Sequence, residues 1–177
     1  MKFGQIFRHS TAWFWRALGR IDELDSVDRF IFLWISFNSA IRKDKESSSD
    51  RKLIKAFYED EYWKDIFDKA KRDNNFNIYL KELKKLCPVE NSKTKEQISI
   101  TEDSLKEVIN VIYLVRNNLF HGRKKPDDID SRDFKLINAS YRLLLQLMLQ
   151  HLINQNFVEL GTSSAEEISD GINMHKI

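Results

Sequence analysis

The stretch Leu105-Lys106-Glu107-Val108-Ile109-Asn110-Val111-Ile112-Tyr113-Leu114-Val115-Arg116-Asn117-Asn118-Leu119-Phe120-His121-Gly122 decides the fold. Advancing about 100° per residue from Leu105 places Val108, Ile109, Ile112, Leu119 and Phe120 within about 60° of it, which is the period of an amphipathic helix. Arg116 falls at about 20°, in the middle of that apolar face. Desolvating a guanidinium costs roughly several kcal/mol unless something pairs with it. Arg116 therefore requires a carboxylate, a set of carbonyls or an anionic ligand.

The same periodicity extends outward in both directions. Thr101, Glu102, Asp103 and Ser104 open this helix with the negative charge that its dipole favours, and Gly122 ends it. After the compact loop Arg123 to Asp128, Asp130 or Ser131 caps a last helix in an antiparallel pair with it. In that helix Phe134, Ile137, Tyr141, Leu144, Leu145, Met148 and Leu152 form one stripe, and Leu136, Leu143 and Leu147 form a second. Two apolar faces imply a core contact plus a subunit contact. Upstream, Ser10-Thr11 caps a short helix ending at Gly19, and the acidic stretch before Val27 leads into a helix from about 27 to 42. That second helix is apolar nearly all round, from Phe30 to Phe37, with Asn38 at its end. Ser48 or Ser49 begins a third helix that runs to about Lys71, and Phe76 to Leu86 form a shorter fourth that stops at Cys87-Pro88. Residues 89–99 read as a polar surface loop.

Composition agrees with helix: 5 Gly and 2 Pro in 177 residues leave few of the turns that an all-β fold needs. The expectation is an all-α antiparallel bundle of five or six helices, one domain over residues 1–155, with a polar C-terminal tail over 156–177. Lys and Arg number 29 against 27 Asp and Glu, so the net charge of +2 gives no global pull toward nucleic acid, and anion recognition must be local. Cys87 is the only cysteine, and His9, His121, His151 and His175 are too scattered for zinc-ligand spacing, so neither metal nor cofactor is expected. The N-terminus lacks a signal-peptide core, and the longest apolar run falls far short of the roughly 20 residues of a membrane span. A soluble, cytoplasmic protein is expected, with no membrane partner.

Arg116, the amides of Asn117 and Asn118, and His121 lie around a helix end, with Arg123, Lys124 and Lys125 immediately behind. Arginine grips a phosphate with a bidentate fork, and histidine, titrating near about 6.5, moves protons at neutral pH. Together they suit attack of an RNA 2′-hydroxyl on the adjacent phosphate, a reaction that needs no metal when proton transfer and charge stabilisation are supplied. On an ideal helix His121 lies about 140° round from Arg116, whereas Asn117 and His121 share a face. The two catalytic candidates converge only if the helix unwinds near Gly122 or if a second chain completes the site; the double-faced second and last helices offer a two-fold interface for the latter.

Blander readings stand beside these. Arg116 can form a structural ion pair, for example with Asp28 of the second helix, and His121 can cap carbonyls at its helix end. Arg123 to Lys125 can be a solvated loop. Trp13, Phe14 and Trp15 read as packing, His9, His151 and His175 as surface residues, and Cys87 as a thiol without an activating neighbour in sequence.

Arg116-Asn117-x-x-x-His121 at the end of a helix resembles the R-x4-6-H motif of the HEPN superfamily. The aromatic helix Arg29-Phe30-Ile31-Phe32-Leu33-Trp34-Ile35-Ser36-Phe37-Asn38 is similar to the early helix of many small prokaryotic members. The likeness spans residues 25 to 155 in architecture and these two stretches in residues. It implies an all-α homodimer with a composite cleft and metal-independent endoribonuclease activity of the toxin or phage-defence kind. By the same likeness Arg116 binds the scissile phosphate, His121 transfers protons and Asn117 orients one of them, with Asn118, Arg123, Lys124 and Lys125 as weaker substrate contacts. An antitoxin or regulatory protein is an implied partner, although Arg123 occupies the place where toxins with nucleotidyltransferase antitoxins often carry a tyrosine. The alternative is a non-catalytic HEPN-like dimer module that binds RNA, a nucleotide or a protein.

Overall fold

The computed structural model describes residues 3–18, 26–42, 49–91, 93–120 and 131–155. Among them the chain is mostly helical: α1 (Phe3–Leu18), α2 (Ser26–Arg42), α3 (Asp50–Glu59), α4 (Glu61–Ala70), α5 (Asn74–Leu86), α6 (Leu105–Phe120) and α7 (Arg132–Asn154). One antiparallel hairpin, β1 (Val89–Glu90) with β2 (Gln97–Ile98), separates α5 from α6. No helix among the described residues is long and apolar enough to cross a membrane.

The bundle is built around α7, which packs on α2, α4, α5 and α6. Leu136, Leu143 and Leu147 are fully buried within the chain, as are Ile137, Leu144 and Met148 of the other stripe. At about 1.5–3 kcal/mol for each large apolar side chain removed from water, this helix is the largest contributor to the core. The second apolar face of α7 is thus a core face, which corrects the expectation that it meets another subunit. A central helix needs apolar residues all round because neighbours cover every side.

The expected third helix is two. Asp60 takes an extended backbone (φ −76°, ψ 122°), ends α3 and caps α4, its carboxylate accepting from the Tyr62 N–H at 2.9 Å. A short carboxylate side chain competes for backbone N–H groups and favours such a break. On one continuous helix Phe57 and Trp63 would diverge by about 120°. The break instead brings their rings to 4.8 Å, with Phe37 4.9 Å from Phe57.

Three further expectations change. α1 begins at Phe3, so Ser10 and Thr11 lie inside it and do not cap it. Phe14 is buried, Trp13 stacks on Phe32 at 5.6 Å, and Trp15 is exposed. The segment after Pro88 is a hairpin with a buried foot, because Val89 and Ile100 join the core. His151 is a core residue: its Nδ1 lies 2.7 Å from the Tyr62 hydroxyl and its ring 4.6 Å from that of Trp63. Ser131 caps α7, accepting from the Phe134 N–H at 3.1 Å.

Candidate functional site

α6 is fixed at its start by the sequence Thr101-Glu102-Asp103-Ser104. Ser104 Oγ accepts from the Glu107 N–H, while the Glu107 carboxylate accepts from Thr101 Oγ1 and from the N–H groups of Thr101 and Glu102. Desolvation pushes the Glu107 carboxyl up, but hydrogen bonds to it from the Thr101 hydroxyl and from the backbone N–H groups of Glu102, Thr101 and Ser104 together outweigh it and hold the group below the ordinary carboxylate range. The start of the helix thus sets the rotational phase with which Arg116 emerges three turns later.

The buried side of α6 includes Val111, Leu114, Val115 and Asn118 as well as Leu105, Val108, Ile109 and Ile112. Its centre is therefore rotated roughly 60° from the stripe drawn through Leu105, toward Val115. Arg116 sits at the edge of the buried face, its side chain 22% exposed, and Phe120 is 51% exposed instead of lying in the core. The rotation follows from packing: α7 and the hairpin also cover this helix, so residues that a single stripe leaves outside are enclosed.

The Arg116 guanidinium is held from several directions. Nη1 donates to Asn117 Oδ1 at 2.9 Å and lies 3.4 Å from Asp50 Oδ2 at the start of α3. The carboxylate that meets it thus comes from α3 and not from α2. Asp50 Oδ1 also takes Arg42 Nη2 at 3.2 Å. The ring of Phe120 lies 4.6 Å from the Arg116 guanidinium carbon and that of Trp34 lies 5.5 Å away, a cation–π setting on a part-buried charge. Nε of Arg116 is buried with no hydrogen-bond partner among the described residues.

Two hollows meet at this arginine. A cleft of about 940 Å³ opens between α3, the hairpin and α6, with Arg116, Asn117 and Asn118 on its wall. On the other side a groove of about 380 Å³ is lined by Trp13, Ile31, Trp34, Ile35 and Phe120, with Arg42 and Arg116 at its polar margin. Asn118 is buried, and its Nδ2 donates to the Glu90 carbonyl at 2.9 Å, which ties the hairpin to α6. Its Oδ1 has no partner among the described residues.

The structure brings Arg116, Asn117 and Asn118 together in this way. His121, Arg123, Lys124 and Lys125 lie outside the described residues, as do Gly122 and the tail 156–177. Asp50, Arg42 and the cleft cations of α3 were not singled out by sequence reasoning. Asp50 reads as a helix-start acid, and nothing in a linear pattern links it to a residue 66 positions away. Cys87 is half-buried; burial raises its thiol, against the lowering effects of a hydrogen bond from the Ile100 backbone and of the Arg132 charge. That environment suits an inert thiol.

No family model matches the chain, and no curated protein or solved structure shows a significant match to it.

Proposed function

We propose that the chain is a HEPN-type endoribonuclease, working as a cytoplasmic homodimer and cutting RNA by 2′-hydroxyl attack without a metal ion. The observation that carries the reading is the position of Arg116. Its guanidinium is part-buried, oriented by Asn117 and flanked by aromatic rings, at the junction of a cation-rich cleft and an apolar groove. Ring contacts and the hydrogen bond to Asn117 limit its rotamers, so less entropy is lost when it grips a phosphate.

In the reaction, the 2′-oxygen forms a bond to phosphorus while the bond from phosphorus to the 5′-oxygen breaks. His121 moves protons: one leaves the 2′-hydroxyl and one reaches the departing 5′-oxygen. Arg116 stabilises the negative charge that builds on the non-bridging oxygens. The products are a 2′,3′-cyclic phosphate and a 5′-hydroxyl end. DNA lacks the attacking hydroxyl and is not a substrate.

The groove supports a second copy as the source of a composite site. Ile31 and Ile35 of α2 are only partly buried there, and Phe120 is exposed, directly beside Arg116. The apolar stripes of α7 are buried within the chain, so the apolar surface offered to a second copy lies on α2 and at Phe120.

The test is incubation of purified protein with RNA in the presence of a chelator, repeated with Arg116→Ala and His121→Ala. Cleavage that both substitutions abolish is the expected result. Cleavage undiminished in both variants, or none by the native protein across diverse RNAs, sinks the proposal. The ion pair of Arg116 with Asp50 favours a second reading, a binding module in which this arginine recognises RNA without cutting it; salt-sensitive binding with intact RNA is its signature.

A further inference from the structure

The cations of the 940 Å³ cleft are unevenly drawn from the chain. Its lining carries Arg51, Lys52, Lys55, Lys93 and Arg116 against a single carboxylate, Glu96. Five lining cations face one lining carboxylate, and with Asp50 set against Arg116 the local excess is still about three in a chain whose net charge is +2. Arg51, Lys52 and Lys55 lie in the first two turns of α3, and Lys93 lines the same cleft from the tip of the hairpin. Of these four, only Lys55 makes an ion pair among the described residues, with Glu59 at 3.7 Å on an exposed surface. Such a pair is weak and gives way to a phosphate.

The remaining lining is not that of an ordinary solvated face. Asn118 is nine-tenths buried on the cleft wall, and its Oδ1 is an acceptor without a partner among the described residues. Asn91, Thr94, Asn110 and Asn117 add amide and hydroxyl groups, and Tyr58 and Tyr113 add rings. A cleft lined by cations of α3 and the hairpin together with neutral donors, acceptors and rings matches single-stranded nucleic acid, in which phosphates and bases alternate. An acidic peptide would use the cations but would leave the amide and ring positions unfilled.

We propose that this cleft is a single-strand RNA track that holds the nucleotides flanking the phosphate at Arg116, with Arg51, Lys52, Lys55 and Lys93 on the strand backbone. The hairpin forms one bank of the track, and Asn118 fixes its position through the Glu90 carbonyl. The inference rests on the ribonuclease reading only in taking Arg116 as the point where the strand is cut. Binding along the cleft is measured without cleavage.

The experiment uses the full chain carrying His121→Ala, so that RNA stays intact, and follows the anisotropy of a labelled single-stranded RNA of mixed sequence. A triple variant, Arg51→Ala with Lys52→Ala and Lys55→Ala, weakens binding by about tenfold or more and lowers the salt slope by about 2. These side chains are exposed, so helix α3 is retained, which circular dichroism verifies. A control triple, Lys81→Ala with Lys85→Ala and Lys135→Ala, removes the same charge outside the cleft and leaves affinity within about twofold. An equal fall in both triples overturns the track, as does no fall in the first. A polyglutamate peptide that displaces the RNA at equal charge concentration also overturns it. Native cleavage with undiminished binding by the first triple removes the track and leaves the ribonuclease standing. Loss of binding by that triple, with no cleavage by the native chain, does the reverse.

Discussion

Asp50 Oδ2 lies 3.4 Å from Arg116 Nη1, and the other oxygen of the same carboxylate lies 3.2 Å from Arg42 Nη2. A carboxylate beside Arg116 neutralises the charge that an incoming phosphate needs, so the two compete for one guanidinium. Asp50→Asn keeps the shape and removes the competitor. Binding of inorganic phosphate or of short RNA should tighten roughly threefold to tenfold, with folding stability lowered by about 1 kcal/mol or less because the pair is part-exposed. Calorimetric titration checks this, and an unchanged or weaker affinity removes the competition account.

Arg116→Lys separates charge from fork. Lysine keeps a positive charge beside Asp50 but cannot give two parallel N–H bonds to one phosphate, nor stack its head on Phe120 as a guanidinium does. RNA cleavage should fall by about a hundredfold, an oxyanion-type loss, while the melting temperature moves little. Cleavage by the lysine variant at the native rate would show that a point charge suffices.

The apolar groove beside α2 should hold a second copy. Ile35→Arg places a charge among Ile31, Trp34 and Phe120 in an interface but at a part-exposed position in a lone chain. The variant should stay folded, sediment as a monomer and lose cleavage together with dimerisation. A native protein that is monomeric at assay concentration and still cleaves RNA rules out the composite site.

Asn118→Ala releases the hairpin. The Glu90 carbonyl loses its donor, which costs about 1 kcal/mol, the low end of the usual range, because truncation also removes an Oδ1 that has no partner among the described residues. Asn118→Asp costs more, since it sets a buried charge against the Glu90 carbonyl. Urea denaturation gives the order, and faster hydrogen exchange at Asn91 and Ile98 locates the effect. Equal stability of all three forms would mean that the contact does not hold the hairpin.

Glu107 makes stability depend on pH in a defined direction. Its folded-state carboxyl is held below its ordinary value, so its contribution is complete above that value and is lost as pH falls through the depressed one. Native protein and Glu107→Gln should therefore differ in stability at neutral pH and converge as the solution is acidified below about pH 4. Denaturation midpoints across pH 3 to 7 test this; a constant difference over the whole range contradicts it.

The helical class was legible from period alone, because apolar residues at three and four spacings over 105–120 and 134–152 leave no other regular structure that buries them. The sequence also marked Arg116 as a charge in need of a partner, since the cost of desolvation is local to the residue. It did not reveal which face of α6 or α7 meets which neighbour. A hydrophobic pattern records how much of a helix is covered but not by what, so α7 read as core plus interface when four other helices enclose it. The break at Asp60, the burial of His151 against Tyr62 and Trp63, and the tie from Asn118 to Glu90 all depend on groups far apart in the chain. Composition and period by themselves determined a mostly helical chain without a global excess of charge. Only tertiary packing decided that Asp50 answers Arg116 and that the cations of α3 face the hairpin, because charges separated by dozens of residues acquire a distance only when the core has set the helices in place.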